Sequence, residues 1–362
     1  MKKIKSAVLT ASFVLAGCAG DGGEATKEPA VGASTAAAAL TPTPTAISQS
    51  TEQTEPPAAA PAVVAEFDLG VKGGAPVFAA GSAWVAGDGG QLARIDAKTN
   101  KSEVVLKGNG QHLSDAMSAF DSIWFHHPET RPLVRIDPST GAVTASIPEA
   151  HGAAPAAVGF GSVWGMDVGH KVVRVDPNTN KVVARLRLST NKVQTHGCVA
   201  PFRNTCPNYL TVHKDKVVVF IEGEDAAVHI DPATNRVTKR VPMPANAAGF
   251  YGVEGEVPWI MTESGLAQVD LDSGRVLARI PLGDDQRQLY LEANGPSIAI
   301  NGDTAWLVAD TITTEIDLKR AEVVKTFATP GNSGVVAASF GHGDLWVSYD
   351  FGIVRRLDVS AS

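Results

Sequence analysis

The stretch from Val158 to Leu188, VGFGSVWGMDVGHKVVRVDPNTNKVVARLRL, decides the architecture. Four short apolar runs, Val158–Phe160, Val163–Met166, Val172–Val175 and Val182–Leu186, are separated by Gly, Asp, Asn and Pro. Runs of this length, bounded by turn residues, read as β-strands. Trp164 stands in the second run, and Val175-Asp176 ends the third. Both marks recur along the chain. Trp84, Trp124, Trp259, Trp306 and Trp346 are each followed, 11 to 13 residues on, by Asp96, Asp137, Asp270, Asp317 and Asp358, with an apolar residue before the Asp. One further unit has Val218 or Val219 in the Trp slot and Asp231 in the Asp slot.

The spacings between these aspartates are 41, 39, 55, 39, 47 and 41 residues, which makes seven units. A four-stranded unit of about forty residues is the period of a propeller blade. The sequence therefore predicts an all-β chain, a seven-bladed β-propeller of four-stranded blades. The last unit ends at Ser362 without a fourth strand. The segment Val64–Gly70 resembles the fourth-strand segment Val183–Leu188, so residues 63–70 are expected to close the ring as the outer strand of the last blade. No segment has helical periodicity apart from a short stretch at Gln286–Leu291.

Four residues after the Asp stand Asn100, Gly141, Asn180, Asn235 and Gly274. Gly and Asn enter the left-handed region at least cost, so the slot requires positive φ. Pro138, Pro177 and Pro232 preset the preceding turn position. Each Asp is expected to cap a tight hairpin, and seven copies argue against catalysis at each. Ala321 occupies the same slot in unit six and predicts a looser or different turn. The tryptophans are expected to pack between blades.

Length alone, 362 residues, suggests two domains. The repeat count replaces that with one ring over 64–362, preceded by two segments of other character. Residues 1–17 have a basic start (Lys2, Lys3, Lys5) and a short apolar run, Ser6–Leu15, too short for a permanent span. Residues 18–63 are rich in Ala, Thr, Pro, Ser and Glu and cannot bury enough surface to offset their ordering entropy. They read as a disordered tether of about 45 residues, reaching ~140 Å if fully extended and ~40 Å as a flexible coil.

Leu15-Ala16-Gly17-Cys18 resembles the lipobox of bacterial lipoproteins. That resemblance implies cleavage before Cys18, lipidation of its thiol and acylation of the new amine. Two or more acyl chains anchor stably where one does not. Ala19, where Asp would favour inner-membrane retention, implies the outer membrane, facing the periplasm or the surface. The chain carries −7 overall, and the body 64–362 carries −6, which argues against nucleic acid as a partner and gives no steering toward DNA or anionic lipid.

The pattern GSxWV…RIDPxTGKV resembles the YVTN-type and streptogramin-lyase-like seven-bladed propellers of bacteria, over about 64–362. The lyases of that group are magnesium-dependent enzymes that open a cyclic depsipeptide, with His and Glu near the channel. Their blades carry W-F-T-E, which only Met261-Thr262-Glu263 echoes here. The same fold hosts unrelated activities.

Ligand sites of propellers lie over the channel, on the face formed by blade-to-blade connections and second-to-third-strand loops. His112, His126, His127, His151, His170 and His196 fall in these loops, with Arg131 and Glu263. Asp115, Glu222, Tyr251, Arg287 and Tyr349 share them. Neutral imidazole is the commonest metal ligand, so a divalent metal is one reading of this set, and ordinary polar loops are the other. Cys198 and Cys206 are expected to pair as a disulfide in an exported protein, with a His196/Cys198/Cys206 metal site as the alternative. No serine-nucleophile elbow, P-loop or dinucleotide fingerprint is present. The leading expectation is a tethered module binding a periplasmic protein or small ligand at the channel face. The competing one is a metal-dependent lyase or hydrolase.

Overall fold

The computed structural model describes residues 59–70, 72–87, 90–108, 116–126, 132–150, 154–166, 171–188, 209–221, 226–244, 248–251, 258–262, 264–283, 297–331 and 334–360. Those residues form seven four-stranded antiparallel sheets arranged as the blades of a β-propeller.

The first strand of the ring is β1 (Ala62–Asp68). Blade 1 is β2 (Val77–Ala79), β3 (Ser82–Ala86), β4 (Leu92–Asp96) and β5 (Lys101–Leu106). Blade 2 is β6 (Ala116–Ala119), β7 (Ser122–His126), β8 (Leu133–Ile136) and β9 (Val143–Ile147). Blade 3 is β10 (Ala154–Gly159), β11 (Ser162–Met166), β12 (Lys171–Asp176) and β13 (Lys181–Arg187). Blade 4 is β14 (Tyr209–His213), β15 (Lys216–Ile221), β16 (Ala226–Asp231) and β17 (Arg236–Pro242). Blade 5 is β18 (Ala248–Tyr251), β19 (Trp259–Thr262), β20 (Gly265–Val269) and β21 (Val276–Pro281). Blade 6 is β22 (Ser297–Asn301), β23 (Thr304–Val308), β24 (Ile312–Asp317) and β25 (Glu322–Ala328). Blade 7 is β26 (Val335–Gly341), β27 (Asp344–Tyr349) and β28 (Ile353–Asp358), with β1 as its outer strand, from Ala62 opposite Asp358 to Asp68 opposite Ile353.

The tryptophans stand where the repeat put them, on the second strand of their blades, and each packs into the next blade. Trp84 meets Ile123 and Phe125 of blade 2 in one buried cluster. Trp124 meets Val163 and Val173, Trp164 meets Val217 and Val219, and Trp346 meets Ala83 and Val85. Trp259 and Trp306 do the same toward blades 6 and 7. Val218 holds the slot in blade 4 and packs with Ile260 and Ala267. Seven apolar clusters thus fill seven blade junctions. Burying such side chains is the principal stabilising term, ~2 kcal/mol for each large one.

The hairpins explain the turn residues. All seven repeat aspartates accept a hydrogen bond from the backbone N–H two residues on: Asp96 from Lys98, Asp137 from Ser139, Asp176 from Asn178, Asp231 from Ala233, Asp270 from Asp272, Asp317 from Lys319 and Asp358 from Ser360. Asn100, Gly141, Asn180, Asn235 and Gly274 lie at φ between +53° and +75°. Ala321 corrects the expectation of a looser turn. It sits at φ +56°, like the asparagines, because Asp317 accepts from both Lys319 and Arg320 and the ladder pairs Asp317 with Glu322. The cap and the register impose the geometry, and the alanine carries the strain.

Residues 1–58 lie outside the described residues, and so do Cys18 and the Gln286–Leu291 stretch.

Candidate binding face

Strands alternate in direction, so a blade offers two ends. One end bears the tight turns between first and second and between third and fourth strands. The other bears the second-to-third-strand loops and the blade-to-blade connections.

On the turn face the repeating polar groups are engaged within the ring. The residue two before each Asp faces the Trp slot across the ladder: Arg94 opposite Trp84, Arg135 opposite Trp124, Arg174 opposite Trp164 and Arg356 opposite Trp346. Each guanidinium lies over its indole, 4.8–5.8 Å from the ring centroid. This contact is a cation–π interaction. Each then reaches into the turn of the following blade. Arg135 Nη1 donates to the Pro177 carbonyl at 2.6 Å, and Arg174 Nη1 to the Pro232 carbonyl at 2.5 Å and Asn235 Oδ1 at 3.0 Å. Arg356 Nη1 donates to the Ala97 carbonyl at 2.5 Å and Asn100 Oδ1 at 3.0 Å, and Arg94 Nη1 to the Ser139 carbonyl at 3.2 Å. His229 takes the position in blade 4 and bonds the Leu271 carbonyl at 2.8 Å. That bond requires Nε2 to carry the proton.

The latch therefore runs from blade 7 through blades 1, 2, 3 and 4 to blade 5. Gln268 and Glu315 hold the position in blades 5 and 6, and among the described residues no such bond leaves either. Glu315 instead accepts from Trp306 Nε1 at 3.2 Å and pairs with Lys325 at 3.5 Å. At the junction of blades 5 and 6, Leu318 and Ala321 of the turn pack onto the Trp259 cluster.

The opposite, loop-bearing face holds the non-repeating polar residues. One described group of its contacts lies over blades 6, 7 and 1. Tyr349 is buried at the end of β27, and its hydroxyl donates to the Pro330 carbonyl at 2.5 Å. Arg355 donates to the same carbonyl at 3.0 Å, lies 4.8 Å from the tyrosine ring and pairs with Glu66 at 2.7 Å. Burial pushes the Tyr349 phenol above its ordinary range, against the opposing pull of Arg355. Lys72 pairs with Asp350 at 2.5 Å, and Asp310 accepts from the Val335 amide at 2.7 Å. Beside them Phe351 is 85% exposed at φ +71°. Positive φ is uncommon for a bulky side chain, so the turn holds this exposed ring in a costly conformation.

Of the candidate histidines, His126 is placed at the loop-bearing end of β7, half-buried and opposite Leu133. His112, His127, Arg131, His151, His170, His196 and Glu263 lie outside the described residues, as do Cys198 and Cys206. Of the Met261-Thr262-Glu263 echo, Met261 is buried and Thr262 donates to the Gly265 carbonyl at 2.7 Å, which are structural duties. Among the described residues no group of three His, Cys, Asp or Glu could hold a metal ion. The sequence reading missed Lys72, Asp310, Asp350, Phe351 and Arg355. A signal existed for Phe351, since Asp350-Phe351-Gly352 breaks the alternation of the neighbouring strands.

No family model matches the chain, and no curated protein matches it. In fold it matches 1425 solved chains, too many for the architecture to indicate an activity. One is the crystal structure of the computationally designed Ika8 protein, with a TM-score of 0.55 over 81% of this chain and 98% of that one, at 12% identity. That likeness is one of fold alone.

Proposed function

We propose that the protein is a lipid-anchored propeller of the bacterial cell envelope whose loop-bearing face binds a periplasmic protein or small ligand. The observation that carries the reading is the division of labour between the two faces. The repeating Asp and Arg residues are engaged in capping turns and latching blades, and the residues left for recognition are the non-repeating ones of the loops. The anchor rests on the lipobox-like sequence ending at Cys18. Its geometry suits presentation: β1 enters the ring at Ala62, opposite Asp358 and hence on the turn-bearing side. The chain thus joins the ring on the side opposite the loops.

A metal-dependent lyase or hydrolase is the second reading, favoured by the position of His126 at the loop end of β7. Three measurements on the native chain test these readings. Cys18→Ser should release the protein from the membrane fraction, and continued membrane fractionation contradicts the anchor. Capture from envelope extracts should return one stoichiometric partner that is lost with Phe351→Ala. Stoichiometric metal in the purified protein, lost with His126→Ala, would overturn the purely binding reading in favour of the second.

A further inference from the structure

The net charge of the body hides a segregation among its seven outer strands. β13 and β17, on neighbouring blades, carry three cations each, and β21 on the next blade carries one more; the three strands hold no carboxylate. The outer strands of the other four blades, β1, β5, β9 and β25, together carry two lysines against Glu66, Asp68, Glu103 and Glu322. The basic strands are stitched into one rim. Arg240 of β17 donates to the Leu188 carbonyl behind blade 3, and Lys239 donates to the Asp272 carbonyl of blade 5 at 2.7 Å. The carbonyl bond fixes the Lys239 side chain without neutralising it. At the end of β13, Arg187 faces Lys171 across the ladder, which sets two cations side by side.

Cations on edge strands also serve to block edge-to-edge pairing. That role applies to every outer strand equally, yet β9 has no charged residue and β1 is acidic. It leaves the segregation unexplained. Between the cations stand Val183, Val237 and Leu277, exposed as Val63, Val104, Val143 and Val324 are on the other outer strands, so charge alone sets the three strands apart. Cations alternating with exposed aliphatic side chains match the headgroup region of an anionic bilayer, where charge and apolar area both contribute. Duplex DNA would use the charge and gain nothing from the aliphatics.

We propose that the rim of blades 3 to 5 adsorbs to anionic phospholipid, laying one side of the ring against the bilayer. The inference deepens the tethered-module reading and rests on it for the nearness of a membrane.

The test uses the full-length chain with vesicles of phosphatidylcholine, alone or mixed with phosphatidylglycerol, and reads acylation of single lysines by mass spectrometry. Lys181 is the reporter, and Lys101, its counterpart in blade 1, is the control. The two pair with Asp176 and Asp96 at the same ladder position. Lys181 should be protected about tenfold on the anionic vesicles alone, with protection lost near 0.5 M salt as the Debye length shortens. Lys101 should label alike with both. In a Cys18→Ser background, which removes the anchor, Arg187→Glu with Arg279→Glu should lower anionic-vesicle binding at least ~25-fold, since each cation near an anionic leaflet adds about fivefold. A melting profile like wild type shows that this variant is folded. An anchor without an adsorbing rim carries the chain to both vesicle types with Lys181 labelled alike. A rim without an anchor carries it to anionic vesicles only, so the two failures are distinguishable. Equal labelling of Lys181 on both compositions overturns the proposal, as does protection by duplex DNA with none by phosphatidylglycerol.

Discussion

Arg174 of blade 3 donates to the Oδ1 of Asn235 in blade 4 at 3.0 Å, while its guanidinium lies 4.8 Å from the Trp164 ring centroid. One side chain thus joins an indole, a turn and two blades. Arg174→Met keeps the stem and removes the latch. We expect it to lower stability by about 2 kcal/mol, the size of a lost charge-assisted bond plus a cation–π contact. The readout is the urea midpoint at unchanged m. A loss under ~0.5 kcal/mol would place Arg174 among ordinary surface residues.

The missing latch between blades 5 and 6 can be installed. Gln268→Arg supplies the donor and Ala321→Asn the acceptor. Asn also relieves an alanine held at φ +56°. Ala321→Asn alone should stabilise by about 0.5 kcal/mol, and the pair should exceed the sum of the singles by about 1 kcal/mol in a double-mutant cycle. Strict additivity would show that the two side chains do not meet.

Two glycines at positive φ separate conformational strain from collision. Gly81, at φ +74°, has open space where a Cβ would stand, and Gly81→Ala should cost about 1 kcal/mol. At Gly265, φ +123°, a Cβ would fall 2.2 Å from the Ile280 carbonyl oxygen and 2.8 Å from the Leu282 amide nitrogen. Backbone cannot move aside, so Gly265→Ala should cost at least ~3 kcal/mol or abolish folding. Thermal melts of the two variants suffice.

Acid should weaken the ring in two stages. Burial holds the His229 imidazole below its ordinary pKa, against the Leu271 carbonyl that favours its charged form. The unfolded chain then binds that proton first, so stability falls as pH drops below about 6.5 toward the depressed folded value. The turn donors hold the carboxyls of Asp96, Asp137, Asp176, Asp231 and Asp358 below their ordinary range. Their contribution is complete above about pH 4 and is lost as pH falls through the depressed values. His229→Gln should flatten the first stage and leave the second, as read from urea midpoints between pH 3 and 8.

The repeat made the blades legible, because Trp and Asp recur at a fixed period and each has one duty. The positive-φ slot was legible for the same reason. What escaped were duties set by the neighbouring blade. Asn180 and Asn235 satisfy the positive-φ slot, and they also accept from Arg135 and Arg174. That role depends on two turns about forty residues apart meeting in space, which no local pattern encodes. The first hairpins escaped too. Phe120 and Asp121 both stand at positive φ, as do Phe160 and Gly161. Two-residue hairpins of this kind need both positions left-handed, and Phe is not a residue that announces it. On the loop face, chain position alone groups the histidines. Their side chains could be brought together only by connections that have no period.

The pairing of Ala62 with Asp358 places the first rung of the outermost ladder at the point where the chain enters the ring. A pull arriving through residue 61 meets that single rung before any other. Antiparallel strands loaded from one end separate rung by rung, unlike strands sheared along their whole length. Blade 7 is therefore the mechanical fuse of the molecule: under tension β1 peels first, the chain lengthens by its seven residues, and six complete blades remain behind it.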